Sequence, residues 1–411
     1  MRTDTVKGTN DYLPREAELR DFLQTTILNV YRHNGFEQIM TPAIEDIENL
    51  DKSDGGENLN LIFNILKRGD KLEKALQAGE FNNLADLGLR YDLTLPLSRC
   101  YAKNKDQLML PFKCIQIDKV YRAERPQKGR LREFLQCDID IIGSSSLDCE
   151  IELIHVTALA LLAIGVKNFR MKVNDRRLLA SLLKAQGFEQ DQLDTVCITF
   201  DKLDKIGLDG VEEELKAKEL PDAAIASFCS LLQKLPLALE DLTEILPGEP
   251  AIDDLKCVIN TVEQMADGQY GIYFDLSLTR GQGYYTGTVF EIESIDFKGS
   301  IGGGGRYDNL IGKFLNTDIP AVGFSIGFER IFSILSAQNA TLPQQKPRIA
   351  VVYEDFLQGY QTAEELRAQG KYQIALFAMP DKLGKFLARL EKYGYSGYVN
   401  AAKSAEVRLF E

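Results

Sequence analysis

The chain has only two histidines, His33 and His155. Its seven cysteines (Cys100, Cys114, Cys137, Cys149, Cys197, Cys229 and Cys257) are scattered, odd in number and never spaced as C-x-x-C. This argues against a structural zinc site and a disulfide framework, and it points to a cytoplasmic setting. No run of about 18 apolar residues occurs, so no membrane span is expected. The opening "MRTDTVKGTNDYLP" lacks the apolar stretch of a secretory signal. No repeat or low-complexity tract stands out. An excess of positive charge is also missing: 48 Lys and Arg against 61 Asp and Glu give −13. That balance disfavours non-specific nucleic-acid binding but leaves room for a local basic site.

What is present is ordinary globular material. The 411 residues are 45% hydrophobic and 27% charged, enough for two or three domains with sizeable cores. "LPREAELRDFLQTTILNVYRHNGF" places Pro14 at a helix start and Leu19, Phe22, Leu23, Ile27, Val30 and Tyr31 on one face, with Gly35 as the stop. Strand-like runs follow: "FEQIMTP", "LGLRYDLTLPL", "FKCIQIDKVYRAE" and "REFLQCDIDIIG". Residues 174–265 read as a helical, acidic insertion. Strands return in "YGIYFDLSLTRG", "GYYTGTVFEIE" and "KGSIGGGGRYD", and "AVGFSIGFERIFSIL" reads as a strand turning into a helix. Residues 336–348 are polar with two prolines and read as a linker. Beyond them strands and helices alternate, as in a small α/β domain over residues 349–411. From Lys346 onward ten basic and eight acidic residues give a local +2.

One segment departs from the acidic background. "YRAERPQKGRLREFLQCDIDIIG" holds Arg122, Arg125, Lys128, Arg130 and Arg132 within eleven residues. It lies between strands expected at 112–122 and 133–142, so it forms the long cationic loop of a hairpin. On the second strand Phe134, Gln136, Asp138 and Asp140 share one face, and Leu135, Cys137, Ile139 and Ile141 share the other. The first strand sends Gln116, Asp118 and Arg122 to one side in the same way. A polar sheet face under an arginine-rich loop suits a ligand that carries both an anion and a cation, and the guanidinium fork suits phosphate. Gly302–Gly305 is not a P-loop, because no Gly-Lys-Ser/Thr follows. A strand stripped of side chains instead allows close backbone approach.

These residues carry a resemblance. "YRAERPQKGRLREFLQCDIDIIG" resembles motif 2 of the class II aminoacyl-tRNA synthetases, in its histidyl-tRNA synthetase form. "LRYDLTLPL" resembles the amino-acid-binding strand of that family. "LTRGQGYYTGTVFE" and "SIGGGGRYDNL" resemble its two histidine-specific motifs, "PAVGFSIGFERI" resembles motif 3, and "FEQIMTPAIE" a degenerate motif 1. The similarity runs from about Lys7 to Leu335 and, more weakly, into the tail.

The resemblance implies an α+β fold: a class II antiparallel sheet core over residues 1–335, the helical insertion, the linker and a shortened α/β anticodon-binding-like domain. It implies activation of histidine with ATP, supplied with Mg²⁺, to histidyl-adenylate, then transfer to tRNA(His) by a homodimer. Arg122 would hold the α-phosphate and the histidine carboxylate. Arg130 would lie near the outer phosphates, and Arg330, on the first turn of the motif 3 helix, would grip the γ-phosphate. Arg280 matches the catalytic arginine, which takes a place filled by a metal ion in related enzymes, so no protein-held metal is expected. Histidine would be held by Asp92 and Thr94, two apart on a strand, by Gln136, Asp140 and Arg280, and by Tyr284 and Tyr285 closing the side-chain pocket. Gly283 stands where the family usually has aspartate, and the tail is shorter than usual. The rival reading is a non-catalytic paralogue such as the ATP phosphoribosyltransferase regulatory subunit, which shares the core but tends to lose the phosphate-binding arginines and the tail.

Overall fold

The apolar stripe of the first amphipathic segment becomes the helix α1 (Pro14–His33), which buries Leu19, Leu23, Ile27 and Tyr31. Proline fits the first helical turn because its missing N–H has no partner there in any case. The computed structural model describes residues 2–50, 61–126, 130–280, 284–297, 299–337 and 346–410. Lys128, Gly283 and most of the proposed linker lie outside them.

After α1 come β1 (Glu37–Gln38), β2 (Ile44–Asp46), α2 (Ile47–Leu50), β3 (Phe63–Leu66), α3 (Asp70–Gln77) and β4 (Ala85–Leu89). Then follow α4 (Thr94–Asn104), the long hairpin β5 (Phe112–Tyr121) and β6 (Glu133–Ile142), α5 (Asp148–Ala163) and β7 (Phe169–Asp175). The helices α6 (Arg176–Ala185), α7 (Leu193–Phe200), α8 (Leu203–Ala217), α9 (Asp222–Leu232), α10 (Leu239–Ile245) and α11 (Pro250–Ala266) lead to β8 (Gly271–Phe274). The first unit closes with β9 (Thr288–Ser294), β10 (Ser300–Arg306), α12 (Gly312–Leu315), β11 (Ala321–Gly327) and α13 (Phe328–Ala337).

Eight strands form one sheet in the order β1-β5-β6-β11-β10-β9-β7-β8. The run β5-β6-β11-β10-β9-β7 is antiparallel throughout. Both edge strands, β1 and β8, pair in parallel with their neighbours. Parallel pairing needs a crossover, and the helical run is that crossover between β7 and β8. It begins at Arg176. Asn174 and Asp175, which composition alone places in the helical segment, are the last residues of β7 and are buried. Helices α1, α5, α11 and α13 cover one face of the sheet. That face takes Leu135, Cys137, Ile139 and Ile141 of β6, all buried.

Two strand expectations fail in the same neighbourhood. "FEQIMTP" contributes only Glu37–Gln38 to the sheet. "LGLRYDLTLPL" is strand only to Leu89 and is helical from Thr94, so Asp92 and Thr94 do not share a strand face. The Asp92 carboxylate accepts the Leu95 N–H at 3.3 Å, a helix-initiating bond. The polar side chains of β5 pin this segment to the sheet. Gln116 donates to Leu93 O at 3.0 Å, and Asp118 pairs at 2.7 Å with the buried Arg90.

The tail is a separate compact unit, with the division falling between residues 340 and 341. Ser336 and Ala337, read from sequence as linker, are the last turn of α13, and Arg348 starts β12 (Arg348–Tyr353). Then come α14 (Phe356–Ala368), β13 (Gln373–Ala378), α15 (Leu383–Lys392), β14 (Gly397–Asn400) and β15 (Arg408–Leu409), in a sheet of order β13-β12-β14-β15.

One buried ion pair fastens the covering helices to the sheet. Arg306, at the end of β10, meets Glu150 of α5 through bonds of 2.6 and 2.7 Å. Its remaining donors go to Ser144 O, Ser146 O and Asp308. Removing one member strands the other charge in low dielectric. Glu150→Ala is therefore expected to cost about 3–5 kcal/mol of stability, measured by urea unfolding, with an unchanged denaturant slope showing that only stability moved.

Candidate active site

The uncovered face of the sheet bears one cavity of about 450 Å³, in the range of small-molecule sites. Asp92, Thr94, Arg122, Arg130, Gln136, Asp140, Arg280, Tyr284, Tyr285 and Arg330 all line it, so every candidate named from sequence faces one space. The alternation of β6 supplies Phe134, Gln136, Asp138 and Asp140. Across the register Ser325 of β11 stands opposite Asp138, and Gly323 opposite Asp140. Gly303 and Gly305 of β10 continue the row.

Those glycines make room for the chain's own side chains. A Cβ on Gly303 would lie 1.5 Å from Nη1 of Arg280, and one on Gly323 would lie 2.0 Å from Oδ1 of Asp140. The Arg280 guanidinium thus lies flush against bare backbone. It donates to Phe290 O at 3.2 Å, with Glu291 3.9 Å away and the Tyr285 ring 5.8 Å from its carbon. Its backbone has φ of +48°, a left-handed conformation rare outside glycine. Strain of this kind collects at functional sites.

The other cations approach from separate elements. Arg122, just past β5, donates to Tyr91 O at 3.1 Å and stacks over Phe134 at 5.0 Å. Arg130 is exposed and reaches Glu124 at 3.4 Å. Arg330, on the first turn of α13, donates to Ser300 O. Its pKa is pushed down first by burial, then by the charges of Arg130, Arg280 and Arg122, countered only by Glu291. Such crowding marks a place prepared for an anion, and the N-terminus of α13 adds its positive end. Of the remaining loop cations, Arg132 instead donates to Glu124 O, and Arg125 is exposed away from the cavity lining.

The floor has the opposite character. Asp92, Asp138 and Asp140 are all buried. Burial lifts Asp92 to about 6, against a partial lowering by backbone hydrogen bonds and Arg122. It lifts Asp140 to about 7, although the Tyr307 hydroxyl donates to it at 2.6 Å. Asp138 is raised further by burial and by the charge of Asp140, with Ser325 donating to it. Gln136 lies beside them, its Oε1 buried without a partner. Among the described residues no three His, Cys, Asp or Glu side chains converge to hold a metal ion.

Sequence reasoning had not assigned site roles to Asp138, Tyr307, Ser325 or Glu329. Asp138 was in plain view, at the same period of two as Gln136 and Asp140. Glu329 neighbours Arg330, and its carboxylate receives both Arg20 guanidinium nitrogens, at 2.6 and 2.7 Å, and the Leu135 N–H. Only the register brings Tyr307 and Ser325 in.

An antiparallel sheet clad with helices on one face, with arginines from a hairpin loop and from a strand-to-helix turn meeting over the other, defines the catalytic core of the class II aminoacyl-tRNA synthetases. Residues 8–331 match the family described as histidyl-tRNA synthetase. The chain is similar to "Histidine--tRNA ligase" of Leifsonia xyli subsp. xyli, 41% identical over 361 residues, covering 85% of this chain and 83% of that one. It is also similar to "Histidine--tRNA ligase" of Cytophaga hutchinsonii, 36% identical over 402 residues and covering 93% and 88%. The crystal structure of histidyl-tRNA synthetase from Nostoc sp. PCC 7120 superposes with a TM-score of 0.80 at 27% identity, over 97% of this chain and 91% of that one. The chain belongs to the histidyl-tRNA synthetase family.

The raised carboxyls give a pH signature. A carboxyl whose folded pKa lies above its unfolded one binds more protons when folded, so its contribution to stability is full below the unfolded pKa and is lost as pH rises through the folded value. Asparagine at 140 mimics the protonated acid at every pH. Between pH 5 and pH 8, the ligand-free wild type is expected to lose about 2–3 kcal/mol relative to Asp140→Asn, measured by urea unfolding of both proteins at each pH.

Proposed function

We propose that this pocket joins histidine to ATP and then passes the histidyl group to tRNA(His), the reaction of a histidine–tRNA ligase. The observation that carries this is the company of charges in one cavity, which is lined by four arginines and by three buried carboxylates. A zwitterionic amino acid that must meet a polyphosphate needs both ends at once. The family membership and the named relatives point to the same activity, and they favour it over the non-catalytic paralogue.

In this reading the histidine ammonium is received by Asp92 and the free Gln136 Oε1, and the imidazole by Asp140 with Tyr307 behind it. Tyr284 and Tyr285 close over the side chain, with Thr94 at the wall. Arg122 aligns the histidine carboxylate with the α-phosphorus, Arg130 and Arg330 hold the outer phosphates, and Arg280 faces the α-phosphate. The carboxylate oxygen attacks phosphorus, the bond to the bridging oxygen breaks, and pyrophosphate leaves. Negative charge on the phosphoryl oxygens peaks in the transition state, where fixed guanidinium groups stabilise it without reorganising. A tRNA hydroxyl then attacks the histidyl carbonyl and AMP departs. Mg²⁺ enters with ATP, bound to its phosphate oxygens as part of the substrate.

The tail, with its local +2, is read as the shortened anticodon-binding-like domain. The seven cysteines are all free thiols, and among the described residues no helix is long and apolar enough to cross a membrane. Both observations support a cytoplasmic setting. The three-stranded sheet β2-β4-β3 supports the homodimer. Its register puts Ile44, Phe63, Ile65, Leu87 and Leu89 on one outward face, where Ile44 is 51% and Leu87 38% exposed. A mainly apolar face of this kind, with Asp46 on its edge strand, suits a second copy of the chain.

Two measurements test this reading. Exchange of labelled pyrophosphate into ATP should be stimulated by histidine and by no other standard amino acid. Absence of that stimulation would return the chain to the regulatory reading. Leu87→Asp, which puts a charge on the outward face, should shift the species seen in sedimentation velocity from dimer to monomer. An unchanged dimer would remove this sheet from the interface.

A further inference from the structure

The crossover helices hold the stretch of chain that leads into Arg280. Asn174, at the end of β7, donates its side-chain amide to Leu276 O at 3.1 Å and to Leu278 O at 3.0 Å. Arg176, the first residue of α6, donates to Thr279 O at 3.4 Å and pairs with Asp194 of α7 at 3.6 Å. The hydroxyl of Thr279 donates to Oδ1 of Asp201 at 2.8 Å, and Thr279 is 1% exposed. Asp201 directly follows α7, far from the cavity lining in sequence and absent from it in space.

Arg280 has little latitude. Its φ of +48° is unfavourable for a side-chain-bearing residue, so neighbouring contacts must impose it. Its guanidinium occupies a slot that exists only because residue 303 is glycine. A shift of the backbone at Thr279 would carry the guanidinium out of that slot and away from Phe290 O. Misplacement by about an ångström is enough to cost a large rate factor in a reaction that depends on positioning.

We propose that Asp201 is a positioning residue for Arg280, acting through the Thr279 hydroxyl, so that the helical crossover sets the placement of the arginine facing the α-phosphate. The proposal rests on the assignment of Arg280 given above. Asp201 is itself exposed, so the crossover can be altered there without opening the core.

The test is a mutant cycle read by histidine-dependent pyrophosphate exchange on the full chain. Asp201→Ala and Thr279→Val should each lower kcat about three- to tenfold, the factor of one ordinary hydrogen bond. KM for histidine should stay within about twofold, because only the transition-state contact is disturbed. Asp201→Asn keeps an acceptor oxygen and should restore most of the rate. Combined with Arg280→Ala, neither substitution should lower the rate further, since residues acting through one another are not additive. Melting temperatures of the single variants should match the wild type. If Asp201→Ala is inert, if its loss follows a fall in melting temperature, or if it adds in full to an impaired Arg280→Ala, the positioning role is overturned and the assignment of Arg280 stands. If Arg280→Ala exchanges as fast as wild type, that assignment falls and the positioning role falls with it.

Discussion

Four guanidinium groups and three buried carboxylates share one small cavity, and the site works only if they are kept from neutralising one another. Each arginine is therefore held by something other than the floor carboxylates. Arg122 is held by Tyr91 O and Phe134, Arg280 by Phe290 O and the glycine slot, Arg330 by Ser300 O, and Arg130 by Glu124. Backbone carbonyls satisfy a guanidinium's donors without cancelling its charge, so the positive end stays available to phosphate. The floor carboxylates rise in pKa because they are buried, and the charge of Arg122 offsets that only in part at Asp92 and Asp138. Burying three carboxyls in one place costs stability, as expected where function and stability compete.

Much of this was legible in the sequence because the central hairpin obeys a simple period. Seven residues of β6, Leu135 to Ile141, alternate without interruption, so Gln136, Asp138 and Asp140 had to face together once the strand was recognised. Arg330 was equally plain, since "GFSIGFERI" turns from strand to helix one residue before its charge pair. The segment around Asp92 was not legible. "LRYDLTLPL" carries β-branched and apolar residues that suit a strand, yet Asp92 accepts the Leu95 N–H at the start of a helix there, and Gln116, which holds Leu93 O, is distant in sequence. Propensity gave way to a tertiary hydrogen bond.

The glycine run shows a subtler limit. From sequence, Gly302 to Gly305 announces that something comes close to the backbone, without saying what. The register answers by laying β10 beneath Arg280 and Tyr285 and bringing Gly323 under Asp140. Likewise Tyr307 is an unremarkable aromatic until the sheet places its hydroxyl on Asp140. Long-range pairing of this kind leaves no periodic trace in one chain, because each partner's spacing follows its own strand.

The crossover between β7 and β8 also has a bearing on how the protein is made. Parallel neighbours joined through six helices form a contact of very long sequence separation, and such contacts are the slow ones to close. During synthesis β7 leaves the ribosome well before β8, the edge strand that pairs with it. Arg280 lies a short stretch beyond β8, so this cavity arginine is made only after the whole crossover has been synthesised. The cavity is completed later still, because β10, β11 and α13, which supply Gly303, Ser325 and Arg330 to its lining, come after Arg280 in the chain.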